Sequence, residues 1–167
     1  RHEEITMRAY KAVAVSLVLL GAAFLAPDAS AEGAALMTAT PAELKWTPAP
    51  ALGPGTMVAL IEGDLKTAEP FILRLKLAPN TKIGVHTHPV TERVTVISGT
   101  FYFATGDTFD PALAKAYHPG DVLIIPVGMS MYGASRDQET VLQLHGVGPW
   151  GITYLNPADD PRNKKMQ

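Results

Sequence analysis

The sequence predicts an all-β fold of the jelly-roll type, in which two antiparallel sheets pack face to face. Strand-like segments are short, and turn residues separate them about every ten residues. The stretch Phe71–Leu77 alternates apolar and polar side chains, which is typical of a half-buried strand. Helical periodicity is almost absent from the rest of the chain. Together these observations favour a β-sandwich or jelly roll over a fold that contains helices.

The segments follow one another in a regular order along the chain. Near Leu44–Trp46 the chain is predicted to form an extended arm or the first edge strand. Further strands are predicted at residues 57–62, 71–77, 81–88, 93–98, 100–105, 122–126, 131–134 and 140–145. Asp107–Lys115 is predicted to form a helical turn between two strands. Pro79 and Asn80 mark a turn, and asparagine tolerates the left-handed backbone that such a turn requires.

The most informative segment runs from Gly84 to Gly99 and reads G-V-H-T-H-P-V-T-E-R-V-T-V-I-S-G. Residues two apart on a strand point to the same face, so His86 and His88 should project together. Glu92 keeps the same parity if the turn at Pro89 preserves it. Two imidazoles and one carboxylate can hold a divalent first-row metal and leave coordination positions open. The alternative is that these side chains are purely structural.

A second segment, from His118 to Tyr132, reads H-P-G-D-V-L-I-I-P-V-G-M-S-M-Y. Gly120 precedes an apolar run that is typical of a buried strand, and Pro126 and Gly128 end that run. Glycine suits positions that need a positive φ, and proline cannot donate a hydrogen bond to a sheet. These residues are therefore interpreted as structural, and His118 is expected to be exposed in a turn.

Both segments resemble the two signatures of the cupin superfamily. The core of the first signature is His-x-His, three residues, Glu, six residues and Gly, and every one of these spacings is met. A Gly usually precedes this core at the start of the signature, and Asn80 occupies that position here. The second signature ends in a metal-binding His, and Met131 occupies that position here. The resemblance implies a double-stranded β-helix barrel with a central pocket. It also implies a divalent transition metal (Fe, Mn, Zn or Ni, with Cu less favoured) held by His86, His88 and Glu92.

Three other side chains are candidates for contact with a small-molecule substrate. Met131 either packs in the pocket or supplies a soft thioether ligand, and packing is the commoner role of methionine. Gln143 and His145 share one face of a late strand, Thr140–His145, and could line the pocket. The alternative for His145 is that it hydrogen-bonds a loop at the strand end.

The N-terminal region has the layout of a secretory signal peptide. Basic residues near a start at Met7 precede the uncharged apolar run Ala12–Leu25, and A-x-A occurs at Ala29–Ala31. The run is short for a membrane span, although an uncleaved anchor helix is the alternative. We therefore expect residues 1–31 to be removed and residues 32–167 to form a single domain without a stable membrane span. The expected location is the periplasm or the exterior.

Composition narrows the function further. The formal net charge is −2, which gives no indication of a nucleic-acid surface. The chain contains no cysteine, so disulfides, thiolate ligands and a cysteine nucleophile are excluded. Two function classes stay open: a metal-dependent enzyme, such as an oxygenase or isomerase, and a non-catalytic module that binds or senses a small ligand with a degraded metal site. A homodimer is compatible with either class.

Overall fold

The computed structural model describes residues 36–163, and almost all of its regular structure is β-strand. Eleven strands follow one another along the chain: β1 Thr47–Pro48, β2 Met57–Glu62, β3 Pro70–Leu77, β4 Lys82–Thr87, β5 Glu92–Ser98, β6 Phe101–Thr105, β7 Lys115–Tyr117, β8 Val122–Ile125, β9 Met131–Ala134, β10 Thr140–Val147 and β11 Thr153–Tyr154. Two short 3-10 turns, Pro50–Leu52 and Pro161–Asn163, complete the described elements.

The strands form two antiparallel sheets. The six-stranded sheet has the order β1-β2-β3-β10-β5-β8, and the five-stranded sheet has the order β11-β4-β9-β6-β7. Within residues 36–163 the two sheets are not joined by strand pairing into a closed barrel. The predicted all-β jelly roll is therefore confirmed, as two facing sheets rather than a continuous barrel wall.

The core lies between the sheets. Strand β3 alternates as the sequence predicts: Phe71, Leu73, Leu75 and Leu77 are buried, and the residues between them are only half-buried. Strand β10 is central in the same sheet, because it pairs with both β3 and β5. Each large apolar side chain that leaves water in this way contributes about 1.5–3 kcal/mol to folding.

The chain passes from one sheet to the other between β4 and β5. Strand β4 belongs to the five-stranded sheet and β5 to the six-stranded sheet. The motif G-V-H-T-H-P-V-T-E spans this crossing, so its histidines come from one side of the core and its glutamate from the other. The spacing of the motif is therefore what places its three polar side chains at the interface of the two sheets.

At two turns the backbone conformation explains why the sequence has asparagine or glycine there. Asn80 has φ 59°, which is the left-handed backbone expected of it. Gly99 has φ 77°, and a Cβ atom there would lie 2.3 Å from the carbonyl oxygen of Glu139. Gly99 therefore meets both a conformational and a steric requirement in the turn between β5 and β6.

Two local predictions differ from the structure, and two short strands were missed. The first strand is Thr47–Pro48 rather than Leu44–Trp46. Residues 107–115 form bends and turns rather than a helical turn, and β7 begins at Lys115. Strands β7 and β11 were not predicted, because three and two residues give no recognisable periodicity.

The expected signal peptide lies outside the described residues, so its removal stays a prediction. Among residues 36–163, no helix is long and apolar enough to cross a membrane.

Candidate metal and ligand site

His86 and His88 lie together at the end of β4 and are both buried. Their ring centroids are 4.9 Å apart in an edge-on arrangement. Nδ1 of His86 bonds to the carbonyl oxygen of Gly84 at 2.7 Å, and Nδ1 of His88 bonds to the carbonyl oxygen of Gly151 at 2.5 Å. A carbonyl only accepts, so each Nδ1 carries a proton, and Nε2 is the ring nitrogen left to bind a metal. Metal-binding histidines usually have their other nitrogen held in this way by a carbonyl.

Glu92 opens β5 and faces His88 from the opposite sheet. Its Oε2 lies 3.6 Å from Nε2 of His88, and its Oε1 accepts a hydrogen bond from the indole nitrogen of Trp150 at 2.7 Å. The carboxylate is 3% exposed. Both oxygens therefore have polar neighbours although the group is buried.

Burial dominates the electrostatics of the site. It lowers the pKa of His86 to about 4, with a further contribution from the neighbouring His88, so this ring is neutral at pH 7. Burial raises the pKa of Glu92, while His88 and the hydrogen bond from Trp150 act in the opposite direction. The neutral imidazole of His86 can donate an electron pair to a cation, and the carboxylate of Glu92 can do so when it is ionised.

The three side chains line a cavity of about 30 Å³ between the sheets. A water molecule needs about 10–15 Å³ by the same measure, so the cavity has room for a ligand of very few atoms. Its remaining wall is mainly apolar and comes from both sheets: Leu52, Leu75, Ile83, Val94, Phe101, Phe103, Ile125, Met131, Tyr132, Gly133, Leu142, Leu144 and Trp150. The polar groups are thus confined to one part of an otherwise hydrophobic cavity.

Met131 lines this cavity and is 2% exposed. It pairs directly with His86 across β4 and β9. The second signature segment therefore delivers the methionine to the same cavity as the two histidines, where the sequence pattern places it.

Gln143 and His145 do not line the cavity. In β10 the buried residues are Leu142 and Leu144, which contact the cavity, whereas Gln143 and His145 are half-buried on the opposite face. Nε of Arg74 donates a hydrogen bond to the amide oxygen of Gln143 at 3.3 Å. The expectation that these polar side chains face the pocket is therefore not met, because strand alternation gives the interior to the leucines.

Two aromatic side chains at the site were missed from the sequence. The Trp150 ring stacks on His88, with centroids 5.1 Å apart and an interplanar angle of 20°. The Tyr154 ring lies 5.8 Å from that of His86, and its hydroxyl donates to the carbonyl oxygen of Ala51 at 2.7 Å. Both follow β10 in a turn-rich segment without periodicity, and only the presence of large aromatic residues there could have indicated a buried role.

The donor chemistry fits a divalent cation, but the three side chains are not arranged as a closed metal cage. His88 and Glu92 approach within 3.6 Å, as two ligands of one ion with bonds of about 2.0–2.2 Å would. Within the described part of the chain, no group of three or more His, Asp or Glu side chains is already arranged to hold a metal ion. The predicted convergence of His86, His88 and Glu92 on one ion therefore stays a prediction.

Comparison with known proteins identifies relatives of this chain. The cupin family model matches residues 62–148, which include both signature segments. Germin-like protein subfamily 1 member 7 of Arabidopsis thaliana is 31% identical over 99 residues, covering 57% of this chain and 43% of that protein. A germin-like protein of Ipomoea nil is 39% identical over 59 residues, covering 35% of this chain and 28% of that protein. The chain thus spans less than half the length of these curated relatives.

Similarity to solved structures supports the same fold. The polyketide cyclase RemF from Streptomyces resistomycificus superimposes with a TM-score of 0.62, covering 76% of this chain and 90% of that one. The sequence identity is 14%, so this likeness concerns the fold alone.

Proposed function

The chain belongs to the cupin family, and on that premise we propose that it binds a divalent first-row metal through His86, His88 and Glu92. The observation that carries the proposal is the state of the two histidines. Both rings are buried and both Nδ1 atoms are held by backbone carbonyls, which leaves Nε2 of each ring as the nitrogen available to a metal. Glu92 supplies the negative charge that a buried divalent cation needs.

The metal is proposed to be Fe, Mn, Zn or Ni rather than Cu. Two imidazoles and a carboxylate suit these ions, whereas copper is favoured only if the Met131 thioether is a ligand. When bound, the ion would supply Lewis acidity to a small molecule at its open positions. The cavity volume of about 30 Å³ favours a ligand of few atoms, or the metal-binding end of a larger one.

The second candidate function is a non-catalytic module that binds or senses a small ligand. Two observations favour it: Met131 replaces the expected fourth ligand, and the described His, Asp and Glu side chains form no ready three-residue metal group. The two candidates share the cavity and differ in whether the metal is essential.

We also propose that the protein acts outside the cytoplasm, after loss of residues 1–31, with residues 32–167 as one domain. The order of basic residues, apolar run and A-x-A site supports this proposal. The partner is proposed to be a small molecule rather than nucleic acid, since the net charge is slightly negative.

Metal analysis of protein purified without a histidine tag tests the metal proposal. We expect about one equivalent of a first-row metal, and stoichiometric uptake of Zn²⁺ or Mn²⁺ by protein stripped with a chelator. His86→Ala should abolish uptake, whereas His118→Ala, at an exposed histidine in a turn, should not change it. Uptake that His86→Ala leaves intact would contradict the assignment. A protein that binds a ligand but no metal would favour the binding module.

A further inference from the structure

Two consecutive residues of the segment that follows β10 contact two of the three proposed ligands. The indole nitrogen of Trp150 donates to Oε1 of Glu92 at 2.7 Å, and its ring stacks on His88. The carbonyl oxygen of Gly151 accepts from Nδ1 of His88 at 2.5 Å. We propose that Trp150 is a positioning residue that restricts Glu92 to binding a metal through one oxygen. This inference rests on the proposed metal site.

The restriction follows from how the two carboxylate oxygens are used. Oε1 is engaged by the indole N–H, and only Oε2 faces Nε2 of His88, at 3.6 Å. A carboxylate that binds an ion through both oxygens would have to share Oε1 between the ion and the indole N–H, whereas Oε2 accepts no hydrogen bond from the indole. Glu92 is 3% exposed, so bulk water cannot readily replace that donor. The indole hydrogen bond weakens Oε1 as a metal ligand relative to Oε2, which makes binding through Oε2 alone the favoured arrangement.

The indole is itself held in place by the rest of the molecule. The backbone nitrogen of Trp150 donates to the carbonyl oxygen of Leu65 at 2.8 Å. The backbone nitrogen of Gly148 donates to the carbonyl oxygen of Glu69 at 2.9 Å. The Trp150 ring also packs against Phe71, with centroids 6.3 Å apart. The indole N–H that donates to Glu92 is therefore held by backbone hydrogen bonds and by packing, as a positioning residue requires.

The chain offers a matched pair of variants for a test. Trp150→Phe keeps an aromatic ring over His88 and removes only the N–H donor. Trp46→Phe makes the same change at the other tryptophan of the chain, which is absent from the cavity lining and lies over Lys76, with Nζ 4.5 Å from the ring centroid. Any general cost of losing an indole should appear in both variants, whereas an effect on the metal should appear only in the first.

Zn²⁺ affinity and the visible spectrum of the Co²⁺ complex give two independent readouts. Trp150→Phe should weaken Zn²⁺ binding by about 10–100-fold, the usual effect of losing a group that holds a ligand. With Oε1 released, Glu92 should bind Co²⁺ through both oxygens, which raises the coordination number and reduces the intensity of the visible bands. Trp46→Phe should retain the affinity and spectrum of the unaltered protein.

A third measurement, the fluorescence of Trp150 in the Trp46→Phe variant, leaves Trp150 in place and so does not depend on whether Trp150→Phe folds. In Trp46→Phe the only indole is Trp150, and its fluorescence should change when Zn²⁺ saturates the site. In Trp150→Phe the remaining indole, Trp46, should not respond.

The outcomes distinguish a failure of the proposed metal site from a failure of the positioning role of Trp150. If the unaltered protein binds neither Zn²⁺ nor Co²⁺, the proposed metal site is wrong and the inference fails with it. If the unaltered protein binds both ions, the site stands. An unchanged Co²⁺ spectrum and Zn²⁺ affinity in Trp150→Phe, or a Trp150 fluorescence that does not respond to Zn²⁺, would then overturn the positioning role.

Discussion

Met131 is the residue whose replacement distinguishes packing from metal binding. If its thioether only packs, Met131→Leu should leave Zn²⁺ affinity unchanged and cost less than about 1.5 kcal/mol of stability, because apolar swaps of equal volume are mild. Met131→His should tighten binding of Zn²⁺, Mn²⁺ or Fe²⁺, because the side chain already lies beside His86 in the cavity. Isothermal titration of both variants and of His86→Ala, which should bind nothing, measures these effects.

Two results would contradict that expectation. A large loss of affinity in Met131→Leu would identify the thioether as a ligand and move the metal assignment towards copper. No gain in Met131→His would indicate a site unsuited to a metal, and the binding module would then be the favoured function.

For single residues, the sequence predicted the positions in the fold that local spacing determines. His86, His88 and Met131 reach one cavity because strand alternation and signature spacing determine which face they occupy. Trp150 could not be predicted, since its contact with Glu92 joins residues 58 positions apart and no local pattern encodes it. The inward position of the β10 leucines could have been predicted. Strand alternation buries either the polar or the apolar side chains of β10, and the apolar side chains gain more free energy from burial.

Among the strands, β10 allows the most direct test of which of its two faces lines the cavity. Leu144→Ala should lower the free energy of unfolding by about 2–5 kcal/mol, because it leaves a hole at a side chain that is 3% exposed. His145→Ala, the next residue on the outer face, should change stability little and leave metal affinity unaltered. Chemical denaturation and Zn²⁺ titration of the two variants measure this. A strong loss of metal binding in His145→Ala would return that histidine to the site.

The elements that the sequence missed share a physical cause. Strands β7 and β11 contain three and two residues, and neither is long enough to show alternation. They form because longer partners offer hydrogen bonds: β7 pairs with β6, and β11 with β4. Phe101 lies opposite Tyr117 in the first of these pairs. Long alternating strands such as β3 were predicted correctly because their pattern is local, whereas these short strands depend on tertiary contacts.

For the whole molecule, the resemblance to cupins rested on two signatures about 20 residues apart, and the family match and the fold confirm it. The signatures carry the turns and the proposed metal-ligand positions, so they constrain the architecture more strongly than composition does. They leave the ligand open, because one fold hosts many activities. The substrate therefore has to be sought through the cavity, by measuring which small molecules alter the Co²⁺ spectrum.

The remaining prediction concerns the mature form of the chain. Ala12–Leu25 is an apolar run of fourteen residues without charge, preceded by Arg8 and Lys11 and followed by Ala29–Ala31. A run of that length is shorter than the roughly 20 residues that span a bilayer, but it is long enough for the apolar region of a signal peptide. Expression from Met7 in a bacterial host should therefore yield periplasmic protein whose intact mass corresponds to a chain that starts near Glu32. Leu19→Arg, which places a charge in the apolar run, should hold the protein in the cytoplasm at full mass. Unprocessed protein in the cytoplasmic fraction without that substitution would refute export, and unprocessed protein in the membrane fraction would indicate an anchor instead.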